Sequence, residues 1–95
     1  MDNLFIVSYD VSDPKRWRRV YRTMRGYGVW VQLSVFQCRM SKTRLLQLEV
    51  ALGEIVNRQE DHVLLIDLGP ADAVKPRVSS IGKPFEPVRS VAVIV

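Results

Sequence analysis

The feature that most constrains the fold is an apolar run at residues 3–10, NLFIVSYD, which ends in the carboxylate of Asp10. An apolar run of this length between polar residues is typical of a buried central β-strand. Helix-start signals follow at once, because Ser12 or Asp13 can cap a helix whose first position suits Pro14. The pattern predicts that Asp10 lies at the carboxyl end of the strand, where open α/β sheets usually present their ligands.

The helix predicted after this strand is strongly basic. Six of the chain's 14 lysines and arginines lie in it: Lys15, Arg16, Arg18, Arg19, Arg22 and Arg25. An apolar stripe at helical spacing predicts the side that faces the core: Trp17, Val20, Tyr21 and Met24. The net charge of +4 and the pI near 9.6 agree with this cluster in favouring contacts with a polyanion. A solvated helix face without a ligand is the alternative that charge alone leaves open.

Residues 29–40 are rich in β-forming side chains and are too many for one strand. A bulge or break is predicted near Leu33 or Ser34. A second helix is then expected from a cap at Ser41 to about Val56. Its buried stripe is predicted from 3.6-residue spacing: Leu45, Leu48, Leu52 and Ile55.

A further strand is predicted at residues 62–68, and its apolar residues on both faces favour a central position in the sheet. His62 at its start is expected to be a strand-edge residue rather than a ligand. A short strand is also predicted at Val78–Ile81.

The last part of the sequence, residues 83–95, reads as a proline-interrupted linker and a terminal strand at 90–95. A free apolar edge strand favours aggregation. We therefore expect it to pair with the sheet of a second subunit. The domain proper is predicted at residues 1–82.

The predicted order β-α-β-β-α-β indicates a ferredoxin-like α+β fold, with an antiparallel sheet, two helices on one face and an extra C-terminal strand. This fold serves many functions. The glycine-aromatic string of an RNA-recognition motif and the Cys-x-x-Cys of a copper site are both absent from the sequence.

Composition excludes several classes of protein. With 47% hydrophobic and 25% charged residues, the 95-residue chain is typical of one globular domain. The single cysteine, Cys38, rules out an internal disulfide framework, and only His62 could join it at a zinc site. No signal peptide is recognised, and no apolar run approaches the roughly 20 residues of a membrane span. A cytoplasmic protein without a membrane partner is expected.

Four stretches of the chain match one known family: Tyr9–Asp13, Lys15–Val20, Gly26–Gly28 and Val31–Phe36. Together they resemble the Cas-two family of CRISPR-associated proteins, and the match spans nearly the whole chain. The resemblance implies a prokaryotic, ferredoxin-like homodimer whose terminal strand adds to the partner's sheet. It also implies a place in spacer acquisition beside a CRISPR integrase subunit.

The resemblance further implies a metal-dependent endonuclease that acts on RNA or duplex DNA, with Asp10 binding Mg²⁺ or Mn²⁺. Because Mg²⁺ typically uses one or two carboxylates together with waters and substrate phosphate, two Asp10 side chains are expected to face each other across the dimer axis. A metal-bound water would then be the nucleophile. Arg16 and Arg19 are the candidates to hold flanking phosphates and offset transition-state charge.

Three further residues match the family's motifs. Ser34 is expected to bind a metal-bound water or a phosphate, unless it only breaks the strand. Tyr9 and Phe36 are expected to position substrate or to form the dimer interface, unless they pack in the core. Trp30 stands where many members carry an arginine, and Gln37 replaces a frequent glutamate.

The competing function is a non-catalytic, dimeric DNA-binding scaffold that bridges integrase subunits. In this interpretation the basic helix holds the duplex backbone, with a strong salt dependence, through five side chains: Lys15, Arg16, Arg18, Arg19 and Arg22. Asp10 would then be structural. A regulatory domain that binds a metabolite is a third possibility, but it leaves the basic helix unexplained.

Overall fold

The structure, a computed structural model, describes residues 1–85 as a four-stranded antiparallel sheet with two α-helices. The elements are β1 (Asn3–Asp10), α1 (Pro14–Arg25), β2 (Val29–Gln32), β3 (Val35–Met40), α2 (Lys42–Gly53) and β4 (His62–Pro70). The predicted order β-α-β-β-α-β is confirmed, and the strands lie in the order β2-β3-β1-β4. The strand predicted at residues 90–95 lies outside the described residues.

The first strand, β1, is central, as predicted, because it pairs with β3 on one side and β4 on the other. Its side chains Phe5, Val7 and Tyr9 are buried in one core cluster. Both helices contribute to that same cluster, α1 through Val20 and Met24 and α2 through Leu48 and Leu52. The two helices therefore cover the same face of the sheet.

Helix α1 begins where the capping signals predict. The Asp13 side chain accepts a hydrogen bond from the Arg16 backbone N–H at 2.9 Å, and Pro14 occupies the first turn. Helix α2 is capped by Ser41 but ends at Gly53, before the predicted Val56. Glycine is a poor helix former, which favours the earlier end.

The predicted break in residues 29–40 is a turn at Leu33 and Ser34 that joins β2 to β3. Leu33 has a φ of +35°, which is uncommon for a residue other than glycine. The Trp30 indole Nε1 donates to the Leu33 carbonyl at 2.9 Å, and its ring packs edge-on against Tyr21. Trp30 therefore stabilises this turn.

Gly28, at the start of this hairpin, is required by close packing. A Cβ atom there would overlap the Cys38 Sγ and the Gln37 carbonyl oxygen. Any larger residue would push β2 away from β3.

Two predictions about the second half of the chain are wrong. Strand β4 lies at an edge of the described sheet, not at its centre. Its second apolar face is exposed, with Leu64 at 52% and Ile66 at 46% relative accessibility. Residues 78–81 form no strand, because no neighbouring strand pairs with them in the described part of the chain. No helix within residues 1–85 is long and apolar enough to cross a membrane.

Candidate active site and nucleic-acid interface

Asp10 is exposed at the end of β1, where the sequence predicts it. Its carboxylate takes part in no ion pair within residues 1–85. Its cross-strand partner in β4 is His62, also exposed. Directly opposed residues of antiparallel strands project from the same face, so the two side chains are neighbours.

The sheet face that the helices leave uncovered carries an apolar strip leading to Asp10. In the β1–β4 register, Ile6 lies opposite Ile66, and Ser8 lies opposite Leu64. We call this surface the open face, and it comprises Ile6, Ser8, Asp10, His62, Leu64, Ile66 and Leu68. Its three apolar β4 residues, Leu64, Ile66 and Leu68, are each more than a third exposed. Contiguous exposed apolar residues of this kind mark interaction sites.

Four of the predicted nucleic-acid contacts lie together on the outer side of α1. They line one shallow groove and are all exposed: Lys15, Arg18, Arg19 and Arg22. None of them forms an ion pair with residues 1–85. We call this group the basic surface. Its charges are available to a polyanion.

Arg16 is held differently from these four residues. Its Nε donates to Asp61 Oδ2 at 2.7 Å, and its Nη2 contacts Asp61 Oδ1 at 3.2 Å and Glu60 Oε1 at 3.1 Å. The hydrogen bond to Asp61 is the main cause that raises the pKa of Arg16. The same bond holds the pKa of Asp61 at about 2. The Arg16 guanidinium is thus committed to an intrachain ion pair.

Ser34 lies beside the end of β1. Its hydroxyl accepts a hydrogen bond from the Trp17 indole at 2.8 Å, and its carbonyl accepts one from the Tyr9 backbone N–H at 3.0 Å. These bonds tie the β2–β3 turn both to α1 and to the residue before Asp10. A direct contact of Ser34 with a phosphate stays a prediction.

Tyr9 and Phe36 are buried, at 3% and 0% relative accessibility, with ring centroids 6.3 Å apart. Both belong to an aromatic cluster with Trp17 and Tyr21. The Tyr9 hydroxyl has no hydrogen-bond partner within residues 1–85. Burial, assisted by the neighbouring Tyr21, raises the pKa of Tyr9 to about 12. Both side chains pack in the core, the alternative that the sequence left open.

Comparison with known proteins decides the family. Residues 3–75 match the family model described as CRISPR associated protein Cas2. This chain belongs to the Cas2 family. It is 59% identical over 95 residues to the CRISPR-associated endoribonuclease Cas2 of Geobacter sulfurreducens, with 100% of both chains covered.

A second Cas2 relative, the CRISPR-associated endoribonuclease Cas2 1 of Rhodospirillum rubrum, is 49% identical over 94 residues, which cover 99% of this chain and 92% of the relative. A solved crystal structure of a Cas2 protein superposes with a TM-score of 0.78 at 31% identity. That match covers 94% of this chain and 97% of the other. The similarity therefore extends over both sequence and fold.

Asp10 is the residue of this Cas2-family chain at which the sequence predicts a divalent cation. Within residues 1–85, no three His, Cys, Asp or Glu side chains come together as a ligand cluster. The donor chemistry suits Mg²⁺, which prefers oxygen ligands and often uses only one or two carboxylates. The exposed Asp10 carboxylate is an oxygen ligand of the kind that this ion prefers.

Sequence reasoning missed Asp61. This side chain is fully buried and contacts Arg16 from 45 positions away. No local pattern signals a pair at that separation. The only sign of this ion pair in the sequence is the presence of two adjacent acidic residues, Glu60 and Asp61, just before β4.

Proposed function

We propose that this Cas2-family chain is a metal-dependent endonuclease of CRISPR spacer acquisition that hydrolyses phosphodiester bonds of RNA in the prokaryotic cytoplasm. The observation that carries the proposal is Asp10, an exposed carboxylate without an ion-pair partner in residues 1–85, at the end of an apolar sheet face. The names of two full-length relatives, both endoribonucleases, support RNA as substrate.

The active form in this proposal is a ferredoxin-like homodimer. The open face exposes Leu64, Ile66 and Leu68, which a second copy would bury. A two-fold interface is self-complementary, so each residue of the patch meets the same patch on the partner. Packing of two open faces would bring the two Asp10 carboxylates to one interface. The apolar sequence at residues 90–95 is expected to add strand pairing to this contact.

In this proposal, the role of each side chain in phosphodiester hydrolysis follows from its position. The two Asp10 carboxylates hold Mg²⁺, or Mn²⁺ in its place. The bound ion would polarise the scissile phosphate and lower the pKa of a coordinated water. The basic surface on α1 holds the flanking phosphates and offsets charge that develops during hydrolysis. Ser34 keeps the end of β1 in place, because its carbonyl accepts from the Tyr9 backbone N–H while its hydroxyl accepts from the Trp17 indole.

The test is cleavage of RNA and duplex DNA by the purified protein with Mg²⁺ or Mn²⁺. Asp10→Ala and Asp10→Asn are expected to lower the rate by at least about a hundredfold, the scale seen when one charge-stabilising group is removed. Asp72→Asn is the matched control, because Asp72 is an exposed aspartate paired with Arg39. Full activity of both Asp10 variants, or no cleavage by the wild type with either metal, would contradict the proposal.

A second candidate function is the DNA-binding scaffold that bridges integrase subunits, and the unpaired cations of the basic surface favour it. Arg19→Ala is expected to weaken duplex binding and to lower the slope of log K against log salt by about one. Arg16→Ala should have a smaller effect, because Asp61 and Glu60 already engage that guanidinium. Asp10→Ala should leave binding intact. An affinity that does not change with salt would exclude this function.

A further inference from the structure

We propose that Asp61 is a positioning residue for Asp10, acting through the chain on both sides of that carboxylate. The inference rests on the proposed function, in which Asp10 is the catalytic carboxylate.

The Asp61 carboxylate joins three segments of the chain. Oδ1 accepts from the Ser12 backbone N–H at 3.3 Å and from Arg16 Nη2 at 3.2 Å. Oδ2 accepts from Arg16 Nε at 2.7 Å and from the Asn57 backbone N–H at 2.9 Å. Each oxygen thus has one partner in the main chain and one in Arg16. The side chain has no exposed surface.

These contacts reach Asp10 by two routes. Ser12 lies two residues after Asp10, so its hydrogen bond holds the chain that leaves the end of β1. His62, the residue after Asp61, is the cross-strand partner of Asp10. Asp61 therefore holds the neighbour of Asp10 across the sheet as well as its neighbour along the chain. A shift of this carboxylate would move both.

Helix α1 gives a reason for a negative charge at this position. The N-terminal end of a helix favours negative charge, and at the first turn of α1 the Asp13 cap supplies one such charge. Arg16 lies in that turn and adds a positive charge where the helix dipole disfavours one. Asp61 adds a second negative charge, pairs with the Arg16 guanidinium, and links the start of the basic helix to the residue that begins β4. Without it, a half-buried guanidinium and two backbone N–H groups would lose their partner.

An ion pair elsewhere in the protein offers a comparison. Arg39 contacts Asp72 at 3.0 Å, but their side chains are 56% and 87% exposed. Exposed pairs of this kind contribute little, because water screens them and both side chains stay mobile. The Arg16–Asp61 pair also joins an arginine to an aspartate, but its aspartate is buried and contacts the chain two residues after Asp10. Substitutions in the two pairs can therefore be compared directly.

The experiment measures kcat and KM for RNA cleavage by the wild type, Asp61→Asn, Asp61→Ala and Asp72→Asn, each confirmed as folded by circular dichroism. Displacement of a catalytic group by about 1 Å can cost a hundredfold. We expect Asp61→Ala to lose about that much in kcat, and the isosteric Asp61→Asn about tenfold. KM should stay within about twofold, because the basic surface still binds the substrate. Asp72→Asn should match the wild type.

Leu48→Val separates positioning from general loss of stability. Leu48 is fully buried in α2 and lies outside the Asp61 network. This variant is expected to lower the melting temperature while keeping the wild-type kcat. The inference is overturned if folded Asp61→Asn and Asp61→Ala keep the wild-type kcat, or if Leu48→Val at an equal loss of melting temperature reproduces their defect.

A readout without activity keeps the inference separate from the proposed function. If the wild type does not cleave, the nuclease proposal fails. The geometry at Asp10 is then tested by adding Mn²⁺ alone to the wild type and to Asp61→Asn. Binding is measured as line broadening of the backbone amides of residues 10–13. Asp61→Asn is expected to weaken that Mn²⁺ binding about tenfold, on the scale of losses at residues that orient metal ligands. Unchanged binding, or no binding in either protein, overturns the inference.

Discussion

The helix-covered face of the sheet and the open face are built from the same strands but carry different chemistry. On the covered face, Val7 and Phe36 are fully buried in a core that both helices complete. On the open face, Ile66 is 46% exposed, and the exposed Asp10 forms no ion pair within residues 1–85. Alternate residues of one strand supply both faces, because successive side chains point in opposite directions. The covered face therefore holds the hydrophobic core, and the open face leaves apolar side chains and the Asp10 carboxylate exposed.

The difference between the two faces also divides the residues of the family motifs into buried ones and exposed ones. Tyr9 and Asp10 are adjacent, yet Tyr9 packs in the core and Asp10 faces solvent. Motif membership therefore does not imply contact with substrate. Substitutions on the two faces should affect different measured quantities, which the following predictions use.

The largest effect is expected for Phe36→Ala on the covered face. Removing a fully buried aromatic ring leaves a cavity and should lower the free energy of unfolding by about 3–5 kcal/mol. Since domains of this size are stable by only about 5–15 kcal/mol, Phe36→Leu is a milder companion variant. Urea unfolding measures both. A loss under about 1 kcal/mol for Phe36→Ala would mean that this face does not carry the stability.

An intermediate effect is expected for Ile66→Asp on the open face. A charge in the centre of this strip should prevent the pairing of two open faces and halve the mass measured by light scattering. The free energy of unfolding of the separated protomer, measured in urea, should change by no more than about 0.5 kcal/mol, as is usual for exposed positions. Val78→Asp is the control, because Val78 is equally exposed but lies outside the sheet. A dimer that survives Ile66→Asp would place the interface elsewhere.

The smallest effect is expected for Tyr9→Phe on the covered face. The Tyr9 hydroxyl has no partner within residues 1–85, so its removal should leave the stability unchanged or raise it by up to about 1 kcal/mol. Cleavage should persist, because Tyr9 does not reach the surface. Urea unfolding and the cleavage assay test these two expectations. A large loss of stability or of cleavage activity would contradict the expectation and show that the hydroxyl has a role beyond packing in the core.

The same variant has a pH signature. The pKa of Tyr9 rises from 10.0 to about 12 on folding, so the unfolded chain releases this proton first as pH increases. The stability contributed by the protonated Tyr9 should be fully present below about pH 10 and should be lost as the pH approaches 12. Tyr9→Phe should lose less stability than the wild type over that window. Identical alkaline profiles for Tyr9→Phe and the wild type would contradict this assignment.

Most of the fold could be predicted from local patterns. Capping residues, the apolar stripe of α1 and the break at Leu33 all lie in short stretches of sequence, and the structure confirms them. In the predicted stripe of α2, Ile55 lies beyond the end of the helix at Gly53. The position of β4 was not predictable in this way. An apolar strand face looks the same in sequence whether helices cover it or a second subunit does. Val78–Ile81 has strand-forming residues, but strand formation also needs a neighbouring strand.

For the candidate site, the sequence by itself determined the position of Asp10 at a strand end and the basic character of α1, because both depend on neighbours along the chain. Only the tertiary structure decided which charges are available. Arg16 and Arg19 look equivalent on one helix, yet Arg16 pairs with a carboxylate 45 positions away and Arg19 faces solvent. That distinction depends on how β4 packs beside β1, a long-range contact that no local sequence pattern encodes.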